Sequence, residues 1–180
     1  MTESTWTAPA VERRESPNVA PERVAVEGLL DHHRATLLWK CAGLTGEQLK
    51  ARSVPPSTMS LLGLLRHLTD VERVWFRERV AQEPDVAPVY WSDASPDGDF
   101  DDVDGADPAA DYARYIAEVE ATRAVMAGRD LDETFVNRHR DGTEEVVDLR
   151  ALMLHMVEEY ARHNGHADLL RQAVDGATGE

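Results

Sequence analysis

The sequence predicts an all-α fold, a four-helix bundle with a small hairpin between its third and fourth helices. Two observations carry this reading. Four segments of about 20 residues place apolar side chains at helical spacing along one face. The stretches between them are rich in proline, glycine and aspartate, which end helices rather than continue them.

The elements follow in order. Residues 1–21 are polar with scattered prolines and lack the apolar region of a secretory signal, so they read as a mobile N-terminal arm. A single domain is expected over residues 22–176, a length that can bury a substantial core. The first helix runs from about Glu22 to Ala42, with Val26, Leu30, His33 and Leu37 in one row and Gly43 as its stop. Pro55-Pro56 interrupts the chain, and Ser57 or Thr58 is placed to cap a second helix from about Met59 to Gln82. Residues 83–107 form a long acidic loop whose Tyr90-Trp91 pair is apolar enough to pack back, either as a surface anchor or as a lid. A third helix spans about Pro108 to Ala127, with Tyr112, Tyr115, Ile116, Val119 and Val125 on its apolar side. Asp141-Gly142 is a hairpin signal between Thr134–Arg140 and Thr143–Val147. Asp148 then caps a fourth helix from about Leu149 to Val174, which ends at Gly176.

Composition excludes several functions. The chain has 180 residues and a formal net charge of −15, which opposes binding to nucleic acid or to an anionic membrane surface. No apolar run approaches membrane-spanning length. Cys41 is the single cysteine, so no intrachain disulfide can form, which fits a reducing, cytoplasmic setting. The expected partner is a small molecule.

The chemistry concentrates in His155-Met-Val-Glu-Glu-Tyr-Ala-Arg-His-Asn-Gly-His166. On a helix, His155, Glu159, His163 and His166 fall within an arc of about 80°. Imidazole and carboxylate are ligands for first-row divalent metals. Relative to the apolar direction set by Leu149, Leu152, Met156, Ala167, Leu170 and Val174, His163 lies roughly 30° away and Glu159 roughly 70°. His166 and His155 lie at the margins, at roughly 90° and 110°. The inward pair is therefore Glu159 and His163. An inward carboxylate needs a cation, whether a metal, an arginine or a protonated histidine. An i, i+4 Glu-His salt bridge is the plain alternative. On the second helix His67 falls in the row Leu64, His67, Val71, Val74, where it is either a third ligand or a satisfied core histidine. Glu72 also faces inward, and Arg73 and Arg77 point away from it, so its partner should come from another helix.

Two metal classes drop out. Zincins need His-Glu-x-x-His, and Met156 follows His155. Di-iron bundles need Glu-x-x-His on two helices, and no such motif occurs. What remains is a mononuclear site with two ligands from the fourth helix and one from the second.

The stretches Ser57–Glu72 and His155–Leu170 resemble the DinB/YfiT-like superfamily, and in particular a branch with the signature His-Met-x-Glu-Glu-Tyr-Ala-Arg-His-Asn-Gly-His-Ala-Asp. The resemblance spans roughly residues 20 to 176. It implies an up-and-down four-helix bundle, often a homodimer, with one divalent metal on three side chains, matched here by His67, Glu159 and His163. Most relatives carry histidine where this chain has Glu159; those similar to mycothiol-dependent maleylpyruvate isomerase carry glutamate. The residue after Gly165 is usually Gln and is His166 here. Characterised relatives use low-molecular-weight thiols such as mycothiol or bacillithiol in S-transfer or isomerisation. The expectation is therefore a metal-dependent, thiol-using S-transferase or isomerase, with zinc the leading metal and nickel next. Glu72 and His166 are the candidates for proton handling or outer-shell support, and Cys41 reads as structural. Two rivals remain: a non-catalytic bundle that binds metal or ligand, and a bundle in which Glu159 and the histidines only pack and pair.

Overall fold

The computed structural model describes residues 6–139 and 141–179. Its elements are α1 (Glu22–Cys41), α2 (Gly46–Lys50), α3 (Leu61–Glu72), which runs on as a π-helical segment (Arg73–Val80), α4 (Gly98–Asp101), α5 (Pro108–Met126), β1 (Thr134–Arg138), β2 (Glu144–Asp148) and α6 (Leu149–Asp175). The fold is mostly helical with one two-stranded sheet. Among the described residues, no helix is long and apolar enough to cross a membrane.

The long helices start and stop where local chemistry dictates. Ser60 caps α3 by accepting from the Gly63 amide, so this helix begins at Leu61 and not at Met59. Ser57 is used one turn earlier, in a bond from the Met59 amide. Asp107 caps α5 ahead of Pro108, and Asp148 caps α6 through the Ala151 amide. Gly176, at φ 80°, ends α6 in the left-handed conformation that glycine tolerates. β1 and β2 pair antiparallel from Thr134↔Asp148 to Arg138↔Glu144, around the expected Asp141-Gly142 turn. Arg140, included in the expected first strand, lies outside the described residues.

Four features depart from the sequence reading. The linker after α1 contains α2, with Thr45 and Gln48 forming a reciprocal capping box. The acidic loop contains the short α4. The second long helix widens into a π segment after Glu72, closed by i→i+5 bonds such as Ala81 N–H to Phe76 O at 2.8 Å. Residues 6–20, expected as part of a mobile arm, lie against the body. Thr7 bridges Thr45, the Ala8 amide donates to Leu44 O at 2.9 Å, and Trp6 packs on Tyr112. Residues 1–5 of that arm lie outside the described residues.

α1 packs along α6, and α3 with its π extension packs along α5. Leucine dominates the shared core: Leu30 and Leu37 of α1 meet Leu62, Leu64, Leu65 and Leu68 of α3, all fully buried. α3 is buried on nearly every side, as a central helix is, so its Asp70 and Glu72 need partners inside the protein. At its end sits Glu72, fully buried, which accepts two bonds from Arg34 of α1 (Nε to Oε1 2.7 Å, Nη2 to Oε2 2.8 Å). Tyr160 of α6 donates to the same carboxylate at 2.8 Å, and the Tyr115 hydroxyl of α5 lies 2.9 Å from that of Tyr160. Arg34 is the partner from another helix that the inward Glu72 required. One carboxylate thereby joins all four long helices.

Removing one member of a buried pair leaves an uncompensated charge, at a cost of about 3–5 kcal/mol. Glu72→Ala and Arg34→Met should each lose that much in urea unfolding. The double variant Arg34→Met with Glu72→Leu should recover most of the loss, a coupling that a double-mutant cycle measures directly.

Candidate metal centre

Antiparallel packing of α3 against α6 brings His67 to His163, with ring centroids 4.6 Å apart. Glu159 is one turn before His163 on α6. His67, Glu159 and His163 each offer one ligand atom, and these atoms all lie within 4.8 Å of one another. Glu159 Oε2 and His163 Nε2 are 3.5 Å apart. That is long for a charge-assisted hydrogen bond, which runs about 2.7–2.9 Å, yet close to the roughly 3.4 Å between two ligands of a tetrahedral zinc at about 2.1 Å from each.

A fourth residue fixes the orientation of His67. Asp99 of α4, buried, places Oδ2 at 2.8 Å from His67 Nδ1. An ionised carboxylate only accepts, so Nδ1 is the donor, and the neutral ring has its lone pair on Nε2. Phe100 stacks on the His67 ring with centroids 5.3 Å apart. Gly63 allows this approach, since a Cβ there would lie 2.7 Å from the Phe100 ring. The loop carrying α4 is held in turn by Asp70, whose buried carboxylate accepts from the amides of Val89 (2.7 Å), Tyr90 (2.8 Å) and Trp91 (3.3 Å). Burial raises the Asp70 pKa, and the three amide bonds oppose that shift. Tyr90 also donates to Asp111 at 2.7 Å, beneath the Arg66 guanidinium. The Tyr90-Trp91 stretch is therefore tied down, and it carries Asp99 to His67.

The remaining sequence candidates occupy different positions. His166 Nδ1 lies 3.4 Å from His163 Nδ1, so it adjoins the ring nitrogen facing away from Glu159. His155 is one turn before Glu159 and packs edge-on against Trp75. Glu72 uses both oxygens on Arg34 and Tyr160. His33 lies beside Asn164, which donates to the His33 carbonyl at 3.0 Å. Cys41 is fully buried, and desolvation pushes its thiol up to about 12, which leaves no thiolate near neutrality. A cavity of about 370 Å³ opens between α1 and the end of α5, lined by Arg23, Asp31, Arg34, Thr122 and Arg123, and it includes none of the three clustered residues.

Sequence reasoning missed Asp70 and Asp99. Asp99 sits in a run with Asp93, Asp97, Asp101, Asp102 and Asp104, which has no periodicity to rank its members. Asp70 lies between apolar positions on α3, where an inward carboxylate could have been suspected but its loop partners could not.

Burial, and then the neighbouring His67 and His166, lower the His163 pKa from its ordinary 6.5 to about 4. His163 is thus neutral at pH 7, as a metal ligand must be. In the unfolded chain it binds a proton near pH 6.5; in the folded chain, only near pH 4. Between those values the unfolded state holds more protons, so metal-free protein should lose stability as pH falls from about 6.5 to about 4 and level off below. Thermal unfolding against pH should show this slope in wild type and a shallower one in His163→Gln.

The family model for mycothiol S-transferases matches residues 25–176, a span that includes Asp70, Asp99 and all three residues of the cluster. No curated protein matches the chain. On that match the chain belongs to the mycothiol S-transferase family, within the DinB/YfiT-like superfamily.

Proposed function

We propose that this protein is a metal-dependent thiol S-transferase, with one divalent ion held by His67, Glu159 and His163 in the DinB-type bundle of its four long helices. The observation that carries the reading is the convergence of these three ligand atoms within 4.8 Å, with Asp99 orienting the first of them. The donor set suits the ion: two imidazoles and one carboxylate are borderline ligands that favour zinc, with nickel next. When bound, such an ion lowers the pKa of a thiol placed at an open position and so supplies the nucleophile.

The chain's own residues prepare that chemistry. Asp99 holds the His67 tautomer with Nε2 free. Burial keeps His163 neutral, so no proton has to leave before an ion is held. Glu159 brings the one negative charge of the set, which balances part of the ion's charge. His166 stands beside His163 and is placed to orient it or to take up the proton released by the thiol. Cys41 is too deeply buried to supply the sulfur, so the thiol comes from the small-molecule substrate, in keeping with the family. An acidic protein whose candidate site gathers three imidazoles fits a soluble small-molecule enzyme, and the setting we infer is the cytoplasm.

Metal analysis after dialysis against zinc should give one equivalent per chain. His163→Ala should lose most of this retention on dialysis, though zinc in excess still loads it, and Glu159→Gln should weaken it. Asp99→Ala should lower affinity by about 10–100-fold, as loss of a partner behind a metal-bound histidine does. Wild-type protein that retains no divalent ion, or a His163→Ala variant that retains as much as wild type, would refute the site. His166→Ala separates catalysis from a closed structural centre: unchanged metal content with reduced thiol transfer supports the enzyme, and lost metal content supports a fourth ligand.

A further inference from the structure

A row of half-exposed side chains runs along α3 and its π extension at four-residue steps: His67, Val71, Trp75 and Arg79. A matching row on α6 runs the other way through His163, Glu159 and His155. Two ring contacts fix their register, His67 on His163 at 4.6 Å and Trp75 on His155 at 4.9 Å. Steps of four drift by about 40° each on an α-helix. A π turn holds more residues and reverses that drift. The π segment Arg73–Val80 therefore keeps Trp75 and Arg79 on the side of the candidate metal centre.

Arg79 differs from its neighbours. Arg73 and Arg77 both pair with the buried carboxylate of Glu118, and Arg77 also pairs with Glu83. Arg79 is half-buried, with its guanidinium carbon over the Trp75 ring, 4.2 Å from the centroid. Among the described residues, no carboxylate forms an ion pair with it. Burial lowers its pKa, but a guanidinium remains charged. The adjacent Glu78 acts on it only through space, without an ion pair, so this partly desolvated cation keeps donors for an anion. Phe135 and His155 both pack edge-on against the Trp75 ring, at 6.5 Å and 4.9 Å, and His155 offers a further hydrogen-bonding nitrogen.

We propose that Arg79, Trp75 and His155 form a subsite for the carboxylate of the electrophile that accepts the thiol. This rests on the S-transferase reading, with the thiol at the His67 end of the row. One guanidinium and one imidazole on the same indole suit a monoanion; a phosphate dianion would call for more cations. Trp75 lies about 12 Å along the helix from His67 and about 6 Å from Val71. The electrophile is thus a carboxylate joined to a flat or apolar stretch that covers Val71 and Trp75, with its reactive carbon near the metal ligands.

The test uses the full chain, metal-free, with phenylpropionate and its uncharged amide as probes. Binding is followed by the indole N–H signal of Trp75 in nitrogen-15 NMR, assigned from Trp75→Phe. The acid should shift that signal and bind about tenfold more tightly than the amide, the worth of one charge-assisted hydrogen bond. Arg79→Gln should remove the difference and leave amide binding as it was, while Arg79→Lys should keep part of it. Equal affinities, an acid preference that survives Arg79→Gln, or no movement of the Trp75 signal would each overturn the proposal. Because the protein is metal-free, these outcomes are separate from those of the metal reading. A zinc titration that leaves the His67 and His163 ring signals unmoved would sink that reading and leave an Arg79-dependent carboxylate preference standing.

Discussion

The buried pair between Arg34 and Glu72 sets the register on which the rest of the structure depends. A carboxylate removed from water is tolerated only when its oxygens are matched, and Glu72 has a bidentate guanidinium and a tyrosine hydroxyl. Apolar packing between helices permits sliding by a turn at modest cost. A directional ion pair does not, because a slipped register would strand the charge. The contact from Tyr160 to Glu72 fixes how far along α3 the α6 helix begins to meet it. With that contact in place, His163 falls opposite His67, and Glu159 follows one turn away.

The electrostatics of the acidic chain acquire a purpose in this frame. Most of its aspartates lie at the surface, but Asp70 and Asp99 are buried and act together. Asp70 gathers three backbone amides and so pins residues 89–91, while Asp99 on the same loop orients His67. The long loop is thus part of the candidate centre, and its order and the tautomer of His67 depend on each other. Burial and the neighbouring His67 and His166 hold the His163 pKa well below its ordinary value, so this nitrogen base is neutral near pH 7.

Much of this was legible in the sequence because helices report their faces through spacing. The row Val26, Leu30, His33, Leu37 and the apolar stripe of Leu149 to Val174 gave two helices nearly to the residue, and Asp141-Gly142 gave the hairpin. The same arithmetic placed Glu159 and His163 inward and required a partner for Glu72 from another helix, which Arg34 supplies. What was not legible lacks a period. Asp99 is one aspartate among many in a loop, and only the tertiary contact selects it. The π segment leaves no residue pattern distinct from an α-helix, so the alignment of Trp75 and Arg79 with His67 appears only in three dimensions. α2 did carry a signal: Thr45 and Gln48 form a capping box, but its single turn is too short to show an apolar face.

Two helices in fixed register present the proposed metal-binding set. Zinc-edge X-ray absorption on the loaded protein tests it most directly. The account predicts a first shell of nitrogen and oxygen at about 2.0–2.1 Å with no sulfur, scattering from two imidazoles, and one imidazole fewer in His67→Ala and in His163→Ala. A shell that contains sulfur, or that keeps both imidazoles when either histidine is removed, would contradict it.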